Sequence, residues 1–283
     1  MPVYLKTHIL NTGRGDCIVL ELPRDDGELH LGFIDCHEFP VLDEYLTVNG
    51  LDNPDQVEFV VATHPHFDHI GGLLELLQKF EGRVKMFWES GFVAESLTYD
   101  ALTGYLENHP EINTWYPRTG LQVLFGKLAV RVLSPPDPLP TGTASDINNA
   151  SIVMRLTYGT SKLLFAGDAQ FGNWSHCCVD QGNHLGAQVL KVAHHGSKHG
   201  TFLETLEEID PKIAVISGIN TLDDPNGEFP HTLTINAIEE LDIEQVFCTY
   251  QHGYITIRST ANSRHKVFLG NDPNLSNRNE YVP

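Results

Sequence analysis

Four side chains that can bind metal ions lie within six residues of one another. His64, His66, Asp68 and His69 form the pattern H-x-H-x-D-H in "VVATHPHFDHIGGLLELL", residues 60–77. Imidazole nitrogens suit Zn²⁺, Mn²⁺ or Fe²⁺, and a carboxylate adds negative charge. A run of surface histidines would explain any one of these residues, but it is a poor explanation of the whole motif. The pattern therefore predicts two adjacent ligand pairs, which can bind two divalent ions rather than one.

Two later stretches place similar side chains at the ends of apolar strands. Asp168 follows the strand in "KLLFAGDAQ", and His194 and His195 follow the strand in "VLKVAHHGSKHG". A carboxylate in such a position can bridge two ions, and an imidazole can complete a second site. The alternatives are a turn or cap role for Asp168 and a solvated loop for the histidines. Because all three residues share the strand-end setting of the first motif, we favour metal binding.

Strand-like and helical segments alternate along the chain and determine where these side chains lie. "VEFVVA" is predicted to be a buried strand and "GGLLELLQKF" a helix, so the first motif occupies the loop at the carboxyl end of a strand. Open α/β sheets commonly carry their sites there. We predict helices at Val41 to Val48, Gly72 to Phe80, Phe202 to Ile209 and Thr232 to Leu241, with Thr232 as the N-cap of the last one.

The composition is that of a globular protein. The chain has 283 residues, of which 41% are apolar, so it can bury a large core. We expect one domain over residues 1–270 and a polar tail over residues 271–283. The five cysteines have no paired spacing and predict free thiols. No leader-like or membrane-spanning run is found, which favours a cytoplasmic protein without a membrane segment. The oligomeric state stays open.

The charge balance bears on the substrate. Lys and Arg number 18 against 37 Asp and Glu, which gives a formal net charge of -19. Such a charge opposes non-specific attraction to a nucleic-acid backbone and favours a small or locally recognised substrate. Lys191, Lys198 and Arg155 are the obvious cations for local phosphate contacts. We expect roughly one to three such contacts.

Seven stretches in order along the chain resemble the metallo-β-lactamase superfamily, and within it the metallo-hydrolase domain of ComEC-type competence proteins. They are "LNTGRGDCIVLEL", "GFIDC", "THPHFDHIGGL", "LSPPDP", "NNASIVMRLTYGTSKLLFAGDA", "VLKVAHHGS" and "AVISGIN". The resemblance covers nearly the whole chain. It implies an α/β fold, a four-layer αββα sandwich, with the site at one edge. It also implies two divalent metal ions, Zn or Mn, that hold a water or hydroxide between them.

The resemblance also assigns ligands, carried over position by position. His64 and His66 serve one ion, Asp68 and His69 serve the other, and Asp168 bridges the two.

One of the adjacent histidines is expected to complete the second site. We prefer His195 as this ligand, which leaves His194 near the substrate, although the sequence does not settle their order. Asp68, His194 and His231 are the residues for which the resemblance implies a catalytic role. His231 stands where the family often has a histidine before its last helix, and it is a candidate proton donor to the leaving group.

The chain departs from the wider superfamily at one ligand and in one further feature. Where another histidine is usual, "DINNASIVM" offers only Asn148 and Asn149, and Asn148 is the candidate ligand. ComEC-type proteins also carry a membrane channel that this sequence does not show, so DNA uptake is not implied. Asp16 and Asp35 match the family pattern as partners that hold ligating histidines, and turn or cap roles are the alternatives.

The leading interpretation is a dinuclear phosphodiesterase or nuclease that uses a metal-bridging hydroxide. Its substrate would be a phosphodiester, such as single-stranded nucleic acid or a small nucleotide. A lactone, β-lactam or thioester hydrolase on the same fold is the first alternative. A metal-binding regulatory or partner module is the second, and the presence of every expected ligand argues against it.

Overall fold

Two β-sheets form the centre of the molecule. The structure is a computed structural model and describes residues 3–142, 145–219, 229–270 and 280–281. The first sheet has nine strands in the order β16-β15-β14-β1-β2-β3-β4-β5-β6, and the second has seven in the order β13-β12-β11-β10-β9-β8-β7. Their strands are the following. The first sheet contains β1 Leu5–Ile9, β2 Cys17–Glu21, β3 His30–Cys36, β4 Gln56–Ala62, β5 Met86–Glu89, β6 Asn113–Trp115, β14 Ile255–Ser259, β15 His265–Leu269 and β16 Glu280–Tyr281. The second contains β7 Gln122–Phe125, β8 Leu128–Ser134, β9 Val153–Tyr158, β10 Ser161–Phe165, β11 Val189–Lys191, β12 Ile213–Ile216 and β13 Gln245–Cys248.

Helices cover the outer face of each sheet. The described helices are α1 Phe39–Val48, α2 Phe67–Ile70, α3 Leu73–Lys79, α4 Leu97–Asn108, α5 Asp146–Asn149, α6 Phe171–Leu185, α7 Leu203–Ile209, α8 Thr232–Glu240 and α9 Thr249–His252. A short 3₁₀ turn spans Ala193–Gly196.

Three apolar clusters hold these layers together. One lies between the two sheets and joins Phe59 and Trp88 of the first sheet to Met154 of the second. Another packs α1, α3 and α4 on the first sheet, and the third packs α6, α7 and α8 on the second. The order helix, sheet, sheet, helix confirms the predicted αββα sandwich.

The strand directions bring the predicted site residues to one end of the sandwich. In the first sheet β3, β4 and β5 are parallel, and in the second β10, β11, β12 and β13 are parallel. The first motif follows β4, Asp168 follows β10 and the paired histidines follow β11. Because parallel strands place their carboxyl ends at the same edge, each sheet collects its loops at one edge.

Two long helices were not among those predicted. Helix α6 is polar and contains two glycines, so its apolar content is low for a helix that packs on a sheet. It begins with a capping box between Gln170 and Asn173 and buries Trp174, Cys177 and Leu185. Helix α4 is capped by Ser96, whose side chain accepts from Tyr99 N. Both helices thus begin with a local cap, and packing of their buried side chains on the sheets stabilises them further.

The four predicted helices are present, with one correction at a helix start. The N-cap of α8 is His231 and not Thr232, because the His231 Nδ1 accepts the backbone N–H of Leu233 at 3.1 Å. All five cysteines are free, as predicted. Among the described residues, no helix combines the length and the apolar character needed to cross a bilayer. Most of the predicted 271–283 tail lies outside the described residues.

Candidate metal centre

Asp168 lies at the centre of the predicted ligands. It is 1% exposed and follows β10 directly. Its Oδ1 lies 3.1 Å from His69 Nε2 and 3.5 Å from His195 Nε2. Its Oδ2 lies 3.7 Å from His64 Nε2 and 3.4 Å from His194 Nε2. The two oxygens of one carboxylate thus face two separate groups of imidazoles.

The ligand atoms form two clusters that share this carboxylate. One contains Asp68, His69, Asp168 and His195, and the other contains His64, His66 and Asp168; within each, one atom per residue lies within 4.8 Å of the others. His64 Nε2 lies 2.9 Å from His66 Nδ1, and Asp68 Oδ2 lies 3.6 Å from His195 Nε2. The structure therefore brings the sequence-predicted ligands together in the predicted grouping.

A left-handed turn presents the paired histidines. His194 and His195 have φ values of 48° and 51°, a region that costs energy for residues with a Cβ atom. The turn is held because His194 N donates to Gly167 O at 2.9 Å and Ser197 N donates to His194 O at 2.7 Å. Gly167 itself has φ 51°, and a Cβ there would lie 2.9 Å from Thr63. Only a glycine at position 167 therefore allows the segment after β10 to pack against Thr63, which follows β4.

The turn before β2 docks on the first motif through a second glycine. Asp16 N donates to Asp68 O at 3.0 Å. A Cβ on Gly15 would lie 2.3 Å from the same oxygen and from His37 Cβ. Only glycine lets the "GRGD" turn reach the motif, and this contact places the Asp16 carboxylate behind the centre.

Asp35 holds one of the ligating histidines. Its Oδ2 accepts from His69 Nδ1 at 2.8 Å, while Thr63 donates to both Asp35 oxygens at 2.7 Å. A hydrogen bond at Nδ1 fixes the ring so that Nε2 faces Asp168. The suggested partner role of Asp35 therefore has a geometric basis.

Asp16 occupies the corresponding place behind His195. Its Oδ1 lies 3.6 Å from His195 Nδ1 and accepts from Ser217 Oγ. The same Ser217 Oγ lies 3.2 Å from His195 Nδ1. Lys191 Nζ donates to the other Asp16 oxygen at 2.6 Å, and both side chains are 2% exposed. The expected phosphate contact by Lys191 is therefore wrong, since its ammonium is buried and committed to Asp16.

The partners of the two adjacent histidines differ. Gln170 Nε2 donates to His194 Nδ1 at 3.0 Å, so a neutral His194 carries its proton on Nε2. His195 instead has Asp16 and Ser217 at Nδ1, which leaves its Nε2 lone pair facing the cluster. This difference supports our preference for His195 as the ligand and His194 as the residue near the substrate.

Asn148 lies beside the first cluster. It is 9% exposed, and contact with its side chain raises the pKa of His66, although burial holds that pKa below its ordinary value overall. Its Oδ1 is buried without a hydrogen-bond partner among the described residues. The neighbouring Asn149 points elsewhere, because its Oδ1 accepts from Asn173 N at 3.2 Å. Asn148 rather than Asn149 is thus the amide able to act as a ligand.

Burial and mutual charge set the protonation states of the centre. Burial opposes ionisation of Asp168, but His69, His195 and His194 together hold its pKa well below the ordinary value. Burial also opposes a charge on His69, yet Asp168 and Asp35 raise its pKa well above the ordinary value. For His64, burial and the neighbouring His69 lower the pKa well below its ordinary value. The centre thus combines an ionised carboxylate with a neutral imidazole on its His64 side.

The unsatisfied atoms of the cluster fit divalent ions. His69 Nε2, His195 Nε2 and Asp168 Oδ1 are buried and make no hydrogen bond among the described residues. Buried polar atoms are normally paired, so a group of buried atoms that face one another without hydrogen bonds is suited to binding a cation. Nitrogen and carboxylate donors suit Zn²⁺ and Mn²⁺.

The remaining predicted residues lie around or away from the centre. His231 N donates to Gly196 O at 2.9 Å, and the Phe229 ring lies 5.3 Å from the His194 ring. His231 is therefore next to the histidine turn. Arg155 is not at the site, because it donates to the carbonyl of His184 at 2.5 Å, near the carboxyl end of α6, whereas Asp168 precedes the start of that helix.

The short segment after the histidine turn divides into buried and exposed residues. Ser197 is buried, and its Oγ accepts from His199 N at 3.2 Å. Lys198 and His199 are exposed. Only these last two remain available to contact a substrate.

Sequence reasoning missed the roles of Gln170 and Ser217. Both are ordinary polar residues whose contacts come from distant elements, so no local pattern marks them. The buried role of Lys191 did leave a signal, since a lone Lys inside the apolar run "VLKVA" is unusual.

Comparison with known families agrees with this geometry. The family model of the metallo-beta-lactamase superfamily matches residues 51–218. The chain belongs to this superfamily. Membership assigns it to the metal-dependent hydrolases of the superfamily.

A curated relative and two solved structures show the extent of the similarity. The chain is 30% identical to ComE operon protein 3 of Bacillus subtilis (strain 168) over 219 residues. These 219 residues are 77% of this chain. The match spans only 26% of the length of that relative. The metallo-beta-lactamase fold protein YhfI from Bacillus subtilis has a TM-score of 0.54 at 10% identity, over 89% of this chain and 99% of that chain. Unliganded yeast PDE1 has a TM-score of 0.54 at 13% identity, over 88% of this chain and 98% of that chain. The two structures show likeness of fold.

Proposed function

We propose that the chain hydrolyses phosphodiester bonds with two divalent ions held by the Asp168 cluster. The observation that carries the proposal is the position of Asp168, whose two oxygens face His69 and His195 on one side and His64 on the other. A single bridging carboxylate between two imidazole groups suits a dinuclear site. Such sites serve in-line displacement at phosphorus in many phosphatases and nucleases.

In this proposal His64, His66 and Asn148 hold one ion, Asp68, His69 and His195 hold the other, and Asp168 contributes to both. When bound, two divalent ions polarise a phosphoryl oxygen and lower the pKa of a water molecule. Asp35 and Asp16 hold His69 and His195 in orientation, so the protein provides a rigid set of donors. We propose that the Asp68 carboxylate, whose side chain is 35% exposed, orients the attacking water.

Two histidines are proposed to handle protons at the substrate. His194 Nε2 lies 3.4 Å from Asp168 Oδ2, and its ring is held by Gln170, so this nitrogen can donate a hydrogen bond to a phosphoryl oxygen. His231 Nδ1 accepts the N–H of Leu233, which leaves the proton of a neutral ring on Nε2. Nε2 of His231 is the proposed donor to the leaving oxygen.

The charge distribution supports recognition of a short stretch of substrate. Of the three cations expected to contact phosphate, Lys191 is buried against Asp16 and Arg155 lies near the end of α6. Lys198 is exposed beside the histidine turn. A substrate with one or a few phosphates, such as single-stranded nucleic acid or a small nucleotide, fits this arrangement better than a long duplex.

The test is a substrate screen with Mn²⁺ or Zn²⁺. Chromogenic phosphodiesters, short single-stranded DNA and RNA, duplex DNA and cyclic nucleotides are compared with a chromogenic lactam, a lactone and a thioester. Asp168→Asn removes the charge of the proposed bridging carboxylate. Asp210→Asn is the control, because it removes the same charge at the exposed end of α7. We expect metal-dependent phosphodiester cleavage that Asp168→Asn abolishes and Asp210→Asn retains.

Two other outcomes would overturn the proposal. Rapid turnover of a lactam, lactone or thioester without phosphodiester cleavage would assign the site to carbon-centred hydrolysis. Metal binding with no turnover of any substrate would favour a regulatory or partner module.

A further inference from the structure

A second histidine with an orphaned nitrogen lies at the opposite end of the first sheet. His30 begins β3, whereas the Asp168 cluster lies beyond the carboxyl ends of β3 and β4. A seven-residue strand is about 20 Å long at ~3.3 Å per residue, so the two sites are well separated. His30 is 7% exposed, and its Nε2 is buried without a hydrogen-bond partner among the described residues.

Two carboxylates of the β2–β3 turn face this nitrogen. Asp26 Oδ2 lies 3.2 Å and Glu28 Oε2 lies 3.4 Å from His30 Nε2. One ligand atom from each of the three residues lies within 4.8 Å of the other two. The Glu28 side chain is 58% exposed and that of Asp26 39%. The buried imidazole is therefore reached from solvent through the two carboxylates.

The other nitrogen of His30 is held by a buried carboxylate. Glu58, which is 4% exposed, has its Oε1 2.7 Å from His30 Nδ1. The strand pairing between β3 and β4 shifts at this point, since Leu31 pairs with Val57 and Gly32 with Phe59. Glu58 is the extra residue of this irregularity, and such bulges redirect a side chain. The backbone thus directs Glu58 at the imidazole.

Glu58 does not need a proton on His30 Nε2 to balance its charge. Arg24 Nη2 lies 2.5 Å from Glu58 Oε1, and Lys85 Nζ lies 3.0 Å from Glu58 Oε2. A neutral His30 can then donate Nδ1–H to Glu58 and present the Nε2 lone pair to Asp26 and Glu28. A lone pair and two carboxylate oxygens at this separation repel one another unless a positive charge lies between them.

The same arrangement holds His69 in the Asp168 cluster. There Asp35 binds Nδ1 at 2.8 Å and the buried, orphaned Nε2 faces a carboxylate at 3.1 Å. We propose that Asp26, Glu28 and His30 form a separate site for a divalent transition-metal ion, with Glu58 positioning the imidazole. One nitrogen and two carboxylate oxygens suit Zn²⁺ or Mn²⁺, with water completing the coordination. The ion would tie the exposed turn to β3. This inference does not depend on the proposed hydrolytic activity.

The test counts bound Zn²⁺ and Mn²⁺ per chain by equilibrium dialysis and elemental analysis at neutral pH. His30→Gln and Glu28→Gln are compared with the wild type, because Glu28 is exposed and its substitution does not disturb the core. Asp25→Asn is the matched control. Asp25 lies in the same turn, loses the same charge and pairs with Lys127 rather than with the cluster. We expect both test variants to bind one ion fewer than the wild type, whatever the wild-type total, and the control to bind the wild-type number.

A spectroscopic reading separates a metal ion from a proton on His30. Nitrogen-15 NMR of the imidazole should show a metal-dependent shift of His30 Nε2 that is absent in Glu28→Gln. Hydrolytic turnover should be unchanged in Glu28→Gln, since the Asp168 cluster is remote. Equal ion counts in the wild type and both test variants would overturn the proposal, as would an equal loss in Asp25→Asn.

Discussion

The ammonium of Lys191 lies 2.6 Å from a carboxylate oxygen of Asp16, and both side chains are 2% exposed. The pair joins β11 of the second sheet to the turn before β2 of the first, directly behind His195. Burial opposes ionisation of Asp16, but Lys191 and nearby imidazoles hold its pKa below the ordinary value. The ion pair therefore links the two sheets where they support the metal centre.

Lys191→Met should destabilise the fold by about 3 kcal/mol, because it leaves the buried charge of Asp16 without its main partner. The measurement is the free energy of unfolding from urea titration. Lys212→Met is the control, since that lysine pairs with an Asp210 side chain that is 75% exposed and such pairs contribute about 0–1 kcal/mol. Equal losses in the two variants would show that the buried pair contributes no more than a surface one.

Asp168→Ala should lower occupancy of both metal sites, because its two oxygens face the two imidazole groups. His64→Ala should mainly empty one. Elemental analysis of the metal-reconstituted variants checks this difference. Their metal content is compared with that of the wild type, for which we expect two ions in this cluster. A wild-type chain that takes up no metal at near-neutral pH would reject the assignment.

His195→Ala should reduce metal content, whereas His194→Ala should retain metal and lower turnover. The reason is that His195 Nε2 faces the cluster while His194 Nδ1 is occupied by Gln170. Metal analysis and steady-state kinetics on the same preparations distinguish the two roles. The opposite pattern would exchange the roles, and unchanged metal and turnover in both variants would remove the pair from the site.

Substrate binding should depend only weakly on salt. On duplex DNA each neutralised phosphate contributes a slope of about 0.9 in log affinity against log salt. Of the three cations expected to contact phosphate, Lys191 is buried and Arg155 lies away from the site, while Lys198 is exposed. We expect a slope equivalent to roughly one to three contacts, with Lys198→Ala reducing it by about one contact. The test measures the affinity of the substrate for a catalytically inactive variant at several salt concentrations. A slope that requires many contacts would reject local recognition.

His265 should make the fold less stable in acid. Burial lowers its pKa to about 4, whereas the unfolded chain has a value of about 6.5. Below about pH 6.5 the unfolded state therefore binds the proton preferentially, and stability falls until the pH reaches about 4. Between pH 7 and pH 5 the titration of His265 should lower the free energy of unfolding by about 2 kcal/mol.

His265→Gln should abolish this part of the pH dependence, while the exposed His199→Gln should retain it. The difference in unfolding free energy between wild type and variant, measured at both pH values, cancels the titration of all other groups. A difference that stays constant from pH 7 to pH 5 would contradict the assignment to His265.

Local sequence determined the alternation of strands and helices and the ligand types, whereas the αββα sandwich was implied by the family resemblance. The apolar run of β4, the glycines after the motif and the strand-end positions of Asp168 and His195 are patterns set by residues close together in the chain. Because parallel strands collect their carboxyl ends at one edge, such positions predict proximity without coordinates. The spacing already separates His64 and His66 from Asp68 and His69, and the family resemblance assigned each pair to its own ion.

Tertiary structure decided the residues whose partners lie far away in the chain. The apolar run around Lys191 hints that its side chain is buried, but only the fold shows that its partner is Asp16, 175 residues away. Gln170 and Asp16 give the two adjacent histidines different tautomers, which spacing alone cannot do. Helix α6 forms because its few apolar residues reach the second sheet. Burial and hydrogen bonding act across the whole fold, so they can be read only once the chain is folded.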